Sequence, residues 1–253
     1  ALSDFDAILN HADGIMVARG DLGVETPAEE VPFHQKHLIR ACNQAGKPVI
    51  TATQMLQSMI EHPRPTRAEA SDIANAILDG TDAVMLSGET AVGNYPIRST
   101  ETMAAICANA EVHLPRSRIV EGAETCDEAI TEGISSSAVA IANEVEARAI
   151  ITATMSGTTA RMVARHRPSM PVVAVTPNER TLYRLALVWG VVPVEVDEFK
   201  TTDEMVAMMI RAAYQEGLVA WGDRVVLTAG IPFGQSRKTN MLKVHVIGES
   251  EEI

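Results

Sequence analysis

Cysteine is scarce in this chain, with three among 253 residues. Cys42, Cys107 and Cys126 are widely spaced and form no C-x-x-C pair. That argues against a disulfide framework and against thiolate zinc sites. The seven histidines form no H-E-x-x-H or comparable metal spacing. No window holds eighteen consecutive apolar residues, so no membrane span is expected. Residues 1–6 carry neither a basic nor an apolar leader segment, so no signal peptide is expected here. Positive charge is short as well: 21 Lys and Arg stand against 33 Asp and Glu, a net charge of −12. A nucleic-acid binder would usually show a basic stripe. The densest basic cluster, Arg161, Arg165, His166 and Arg167, reads as a solvated helix face with local anion contacts. An acidic protein can still bind phosphates, but it must do so locally, with metal ions, backbone N–H groups and a few Arg or Lys. A cytoplasmic protein with structural thiols and no nucleic-acid or membrane partner is expected.

What is present is enough for a substantial core, at 46% hydrophobic and 21% charged residues. The length suits one (β/α)₈ barrel or two ordinary domains. Helix starts are marked by five Thr-x-x-Glu capping boxes: Thr26/Glu29, Thr66/Glu69, Thr125/Glu128, Thr176/Glu179 and Thr201/Glu204. Pro27 and Pro177 fall at the first helical position of two of them. Gly46, Gly80, Gly190 and Gly217 each close an apolar-periodic stretch, as glycines just past a helix do.

Between the helices lie apolar runs of strand length, at 14–18, 48–52, 83–86, 149–153, 172–175, 191–196, 224–228 and 242–247. They lack clean alternation, which suits parallel strands covered on both faces. The chain therefore reads as α/β. Three β–α units at about 34-residue spacing come first. A crossing segment near 112–125 comes next, then a helix over about 126–143 and five strands, the last two without a helix between them. Domains 1–115 and 116–253 are expected. Three units cannot close a barrel of eight and would leave sheet edges and an inner face half covered.

Ligands of α/β proteins gather at the carboxyl ends of strands. The first strand ends in Arg19-Gly20-Asp21. Gly20 permits close backbone approach, and Asp21 is a monodentate oxygen ligand for a hard cation or simply a turn residue. The second ends in Thr53-Gln54, a hydroxyl and an amide that serve a site or a helix cap. The third ends in Ser87-Gly88-Glu89. In the second domain, Thr154-Met155-Ser156-Gly157-Thr158-Thr159 leads from a strand into a helix. Its hydroxyls and amides suit a phosphate or an ordinary cap. Without G-K-[ST] it is no Walker A loop.

Five collinear strings resemble the pyruvate kinase family: MVARGDLGVE at 16–25, TATQML at 51–56, PRPTRAEA at 63–70, DGTD at 79–82 and MLSGETAVGNYP at 85–96. The resemblance covers essentially the whole chain. It implies the last three β–α units of a (β/α)₈ barrel, followed by a separate α/β domain with a mostly parallel five-stranded sheet. It implies phosphoryl transfer from phosphoenolpyruvate to ADP, giving pyruvate and ATP, with Mg²⁺ or Mn²⁺ and commonly K⁺. By this likeness Asp21 is a metal ligand, and the Gly20 and Asp21 amides meet the substrate carboxylate. Thr53 stands near the enolpyruvate carbon and delivers a proton. Gln54, Ser87 and Glu89 organise the site around them, and Arg19 serves either positioning or a subunit contact. A phosphorylated allosteric effector belongs at Thr154, Ser156, Gly157, Thr158 and Thr159, with Arg237 and Lys238 on the partner loop between the last two strands. Arg237 stands where many bacterial members have Gly, and the added cation suits a sugar phosphate or nucleotide. The family's catalytic Lys and a second metal-binding Glu are expected upstream of residue 1. So the chain is expected to be a C-terminal portion, inactive alone, of a protein that forms homotetramers. The alternative is a stand-alone effector-binding module with a vestigial half barrel.

Overall fold

The computed structural model describes residues 1–114, 126–232 and 238–249. The chain divides into two compact units, Ala1–Pro115 and Arg116–Ile253.

The first unit runs α1 (Phe5–His11), β1 (Ile15–Ala18), α2 (Arg19–Glu25), α3 (Val31–Gln44), β2 (Val49–Ala52), α4 (Arg67–Asp79), β3 (Ala83–Met85), α5 (Gly88–Ala91) and α6 (Pro96–Glu111). Its three strands form an open parallel sheet in the order β1-β2-β3, with Ile15 opposite Val49 and Ile50 opposite Ala83. Alternation decides the faces. Val17 and Val49 pack on Phe5, Leu38, Ile39 and Cys42. Val84 joins Met55, Met59, Ile73, Ala76 and Met103 in a second cluster. Met16, on the other face, is 52% exposed. Thr66 and Glu69 cap α4 reciprocally, and Gly80 ends it at φ 101°, a left-handed angle that a Cβ would oppose.

The second unit runs α7 (Cys126–Glu144), β4 (Ala149–Ala153), α8 (Thr158–Ala164), β5 (Val172–Thr176), α9 (Glu179–Leu185), β6 (Val191–Glu195), α10 (Thr202–Gln215), β7 (Arg224–Ala229) and β8 (Met241–Val246). The sheet order is β6-β5-β4-β7-β8, parallel except for the β7–β8 pair. One face carries Ile151, Val173 and Leu227 against Met205, Met209 and Ile210 of α10. The other carries Ile150, Val172 and Val226 against Ala138 and Ala142 of α7 and Ala160 and Val163 of α8. Successive residues of one strand thus enter different cores, which is why these strands show no alternation in sequence.

Several expectations need correction. Thr26 does not start a helix: it closes α2, and its hydroxyl donates to the Leu22 carbonyl at 2.7 Å. Residues 27–30 form a turn, and α3 starts at Val31 with Pro32 in its first turn. Thr176 is still paired in the sheet with Glu195, so Asn178 caps α9 instead, accepting from the Thr181 amide at 2.9 Å. Pro177 therefore precedes the cap. The Thr125/Glu128 box lies outside the described residues and side chains.

The basic cluster is not a solvated face either. α8 stops at Ala164, and the turn after it buries Arg165, His166 and Arg167. Arg165 forms an ion pair with Glu132, and His166 Nε2 lies 3.3 Å from the same carboxylate. Arg167 sits over the Trp189 ring, 5.3 Å from its centre. Burial pulls Arg165 below its ordinary pKa. A buried charge needs such a partner, and Glu132 supplies it from α7.

Candidate functional site

The carboxyl ends of β1, β2 and β3 carry the residues singled out in the first unit. Arg19 opens α2 and is only 8% exposed. Its Nη1 pairs with Asp72 of α4. Its Nη2 donates to the carbonyls of Thr53 at 2.7 Å and Gln54 at 3.2 Å, and lies 3.0 Å from Met55 Sδ. Thr53 and Gln54 have φ of 66° and 54°. Two successive non-glycine residues in the left-handed region are costly and persist only where the surroundings over-determine them.

Thr53 Oγ1 accepts from the Gly20 amide at 2.8 Å. With that lone pair engaged, the hydroxyl proton is left to another acceptor. Asp21 is exposed one residue further on, and Thr53 is half-buried. Glu89 is 2% exposed. It accepts from the Leu56 amide and from the Ser87 amide, each at 2.9 Å. One buried carboxylate thus ties the β2 turn to the β3 turn. Ser87 and Gln54 are exposed on the rim. A cavity of about 510 Å³ lies beside this cluster and is lined by Arg19, Gln54, Asp72 and Asp79 among others. Among the described residues no three His, Cys, Asp or Glu side chains gather as a metal cage. The donor available to a hard cation at the rim is the Asp21 carboxylate. That fits Mg²⁺, which commonly takes one or two carboxylates and completes its shell with water and substrate oxygens.

Two contacts of this network carry no mark in the sequence. Asp72 meets Arg19 from 53 residues away. Glu69, beyond its capping role, accepts from Ser58 N at 2.7 Å and Ser58 Oγ at 2.6 Å. No local pattern signals either contact.

In the second unit, the turn after β4 is built by its own hydroxyls. Thr154 is buried and accepts from the Gly157 amide at 2.9 Å. Thr159, also buried, bonds Thr239 at 2.9 Å, and the Thr239 amide donates to Thr131. Gly157 has φ 83°, a left-handed angle that opens α8. The surface of the turn is left to Ser156 and Thr158, whose hydroxyls are 2.9 Å apart. Arg161, which lies past the hydroxyl motif, donates to the Ser156 carbonyl at 3.2 Å. Lys238 is half-buried on the loop after β7, and Arg237 lies outside the described residues. The strand order reverses between β4 and β7, where open α/β sheets form their ligand crevice.

A three-stranded parallel sheet with a polar rim, followed in sequence by an open α/β unit with a turn of hydroxyls at its switch point, defines an α/β protein. Comparisons narrow the class. Residues 1–100 match the family model for the pyruvate kinase barrel domain, and residues 132–245 match that for the pyruvate kinase alpha/beta domain. The pyruvate kinase of Geobacillus stearothermophilus is 54% identical over 249 residues, which are 98% of this chain and 42% of the relative. That of Clostridium acetobutylicum is 51% identical over 247 residues, 97% of this chain and 52% of the relative. That of Bacillus licheniformis is 50% identical over 249 residues, 98% and 42%. The chain belongs to the pyruvate kinase family, and it spans about half or less of the length of these relatives. No helix among the described residues is long and apolar enough to cross a membrane.

Proposed function

We propose that the chain is the C-terminal part of a phosphotransferase that converts phosphoenolpyruvate and ADP to pyruvate and ATP. The observation that carries this reading is the 2.8 Å bond from the Gly20 amide to Thr53 Oγ1, beside the Asp21 carboxylate, in a chain of this family. Phosphoryl transfer needs positioning and charge neutralisation more than covalent chemistry. A divalent ion held by Asp21 supplies part of that neutralisation. The chain's own residues do the rest. The Gly20 amide fixes the Thr53 hydroxyl as an acceptor on one side, which leaves its proton to be given to the enolate carbon as the oxygen takes a replacement proton from solvent water. The amide of Asp21 meets the substrate carboxylate, while the Gly20 amide stays on Thr53. Arg19 and Glu89 hold the two turns in place, with Gln54 and Ser87 on the rim. In the second unit, the turn Thr154–Thr159 with Lys238 and Arg237 takes a phosphorylated effector, and Ser156 and Thr158 make the direct contacts. The assembled protein is a homotetramer.

The test uses a longer protein carrying this sequence. It is expected to form ATP from phosphoenolpyruvate and ADP when Mg²⁺ is added, and the isolated 253-residue chain to form none. A longer protein without this activity overturns the reaction assigned. ATP formation by the pure chain overturns the view that its rim is only part of the site.

A further inference from the structure

We infer that Asp72 is a positioning residue for Thr53, acting through Arg19. The inference rests on the role proposed for the Thr53 hydroxyl. The chain of contacts is short. Asp72, on α4, pairs with Nη1 of Arg19. Nη2 of the same guanidinium reaches the carbonyls of Thr53 and Gln54. Those two residues are the ones with φ of 66° and 54°. The guanidinium is planar, so fixing one nitrogen on Asp72 fixes the direction in which the other donates. Lysine could offer a charge to either side but could not span both.

The same helix braces the turn a second time. Glu69 of α4 accepts from the amide and the hydroxyl of Ser58. Glu89 holds the Leu56 amide between these points. The segment from Thr53 to Ser58 is thus pinned at its start through Asp72 and Arg19, at its middle by Glu89 and at its end by Glu69. Only the first pin bears on the left-handed residues, and so on the direction of the Thr53 hydroxyl. Without Asp72, Arg19 is free to follow the carbonyls as they relax out of the left-handed region. The hydroxyl then leaves the position in which it meets the Gly20 amide.

A displacement of about 1 Å at a reacting group can cost on the order of 100-fold in rate, and Asp72 acts one step removed. In the longer protein, Asp72→Asn is expected to lower kcat and the exchange of pyruvate C3 protons with solvent by about tenfold. KM for phosphoenolpyruvate and ADP should stay within about twofold, because no substrate contact is lost. Arg19→Lys should do the same, and the double variant should be no worse than Arg19→Lys alone, since both act on one contact. A crystal structure of Asp72→Asn should show φ at Thr53 or Gln54 moved out of the left-handed region. Wild-type kcat and proton exchange in Asp72→Asn, or additive losses in the double variant, overturn the inference. If Asp72→Asn is too unstable to purify, Asp72→Glu carries the carboxylate one methylene further. A fall in kcat at constant KM then supports the relay, and wild-type kcat with a lowered melting temperature overturns it. An unmutated longer protein that lacks the activity sinks the proposed reaction instead. The backbone angles at Thr53 and Gln54 still decide the geometric claim in that case.

Discussion

The Thr53 hydroxyl and the Gly20 amide meet at 2.8 Å across the ends of two neighbouring strands. Substituting either side separates its structural from its chemical share. Thr53→Val keeps the shape and removes the acceptor, leaving a half-buried amide without its partner. A cost of about 1 kcal/mol in stability is expected, with loss of pyruvate proton exchange in the longer protein. Thr53→Ser keeps the hydroxyl and sheds the branched Cβ that a φ of 66° disfavours. It should retain exchange and lose no stability. Equal exchange in Val and wild type removes Thr53 from proton delivery.

A methyl group at Gly20 would lie 3.5 Å from Thr53 Oγ1 and 3.8 Å from its Cβ, ordinary contact distances. Gly20→Ala should therefore fold with a melting temperature close to wild type while setting a methyl group against the Thr53 hydroxyl. The expected signature in the longer protein is a raised KM for phosphoenolpyruvate without loss of stability. A large drop in melting temperature would mean that the glycine is there for the backbone.

Glu69 titrates with a clear sign. Burial works against its charged form, but hydrogen bonds from Ser58 and Thr66 outweigh that and hold its pKa below the ordinary 4.5. A carboxylate depressed in the folded state stabilises above its unfolded pKa, and the contribution is lost as pH falls through the folded value. Glu69→Gln should thus lower the melting temperature at pH 7 and flatten its decline below about pH 4.5. Parallel acid profiles for variant and wild type would contradict this.

The parts of the fold legible in the sequence are those written in short stretches of chain. Gly80 and the Thr66/Glu69 box delimit α4 because a left-handed residue and a reciprocal cap each need only neighbouring atoms. The same four-residue pattern misleads at Thr26 and Thr176. There the helix start is decided by residues further along, Pro32 after Val31 in one case and Asn178 in the other. The site divides in the same way. Arg19, Thr53 and Glu89 stand at strand ends and can be found from strand runs alone. Asp72 and Ser58 join them only once α4 has packed beside β3 and the segment after β2. The Arg165–Glu132 pair and the Arg167–Trp189 contact bridge different elements, so in sequence their run of cations looks solvent-facing.

Thiol reactivity offers a check on burial in the first unit. Cys42 is fully buried, and burial reinforced by the charge of Asp82 pushes its pKa to about 12, against a smaller opposing effect of Lys47. Burial, with help from Glu111, raises Cys107 to about 11. The thiolate is the reactive form. At pH 8 Cys42 should resist a maleimide or disulfide reagent until the protein unfolds, and Cys107 should react slowly. Rapid native labelling of Cys42, located by peptide mapping, would show that α3 opens readily from the sheet.

Ser156 is the direct probe of the turn after β4, because it is exposed and its side chain bonds only Thr158 among the contacts described. A phosphate at the switch point between β4 and β7 would be met by the Ser156 and Thr158 hydroxyls, the amides that open α8, and the cations after β7. Ser156→Asp places a carboxylate among those groups and leaves the buried Thr154 and Thr159 bonds untouched. Two anions cannot share the turn without repulsion. Binding of a sugar phosphate to the longer protein, measured by calorimetry, should therefore vanish at unchanged melting temperature. Ser156→Ala removes one hydrogen bond, worth about 1 kcal/mol, and should weaken binding only several-fold. The ordering of the two variants carries the argument. Equal affinity in Ser156→Asp and wild type would move the effector away from this turn. An equal collapse in Ser156→Ala and Ser156→Asp would mean that the hydroxyl shapes the turn and does not contact the ligand.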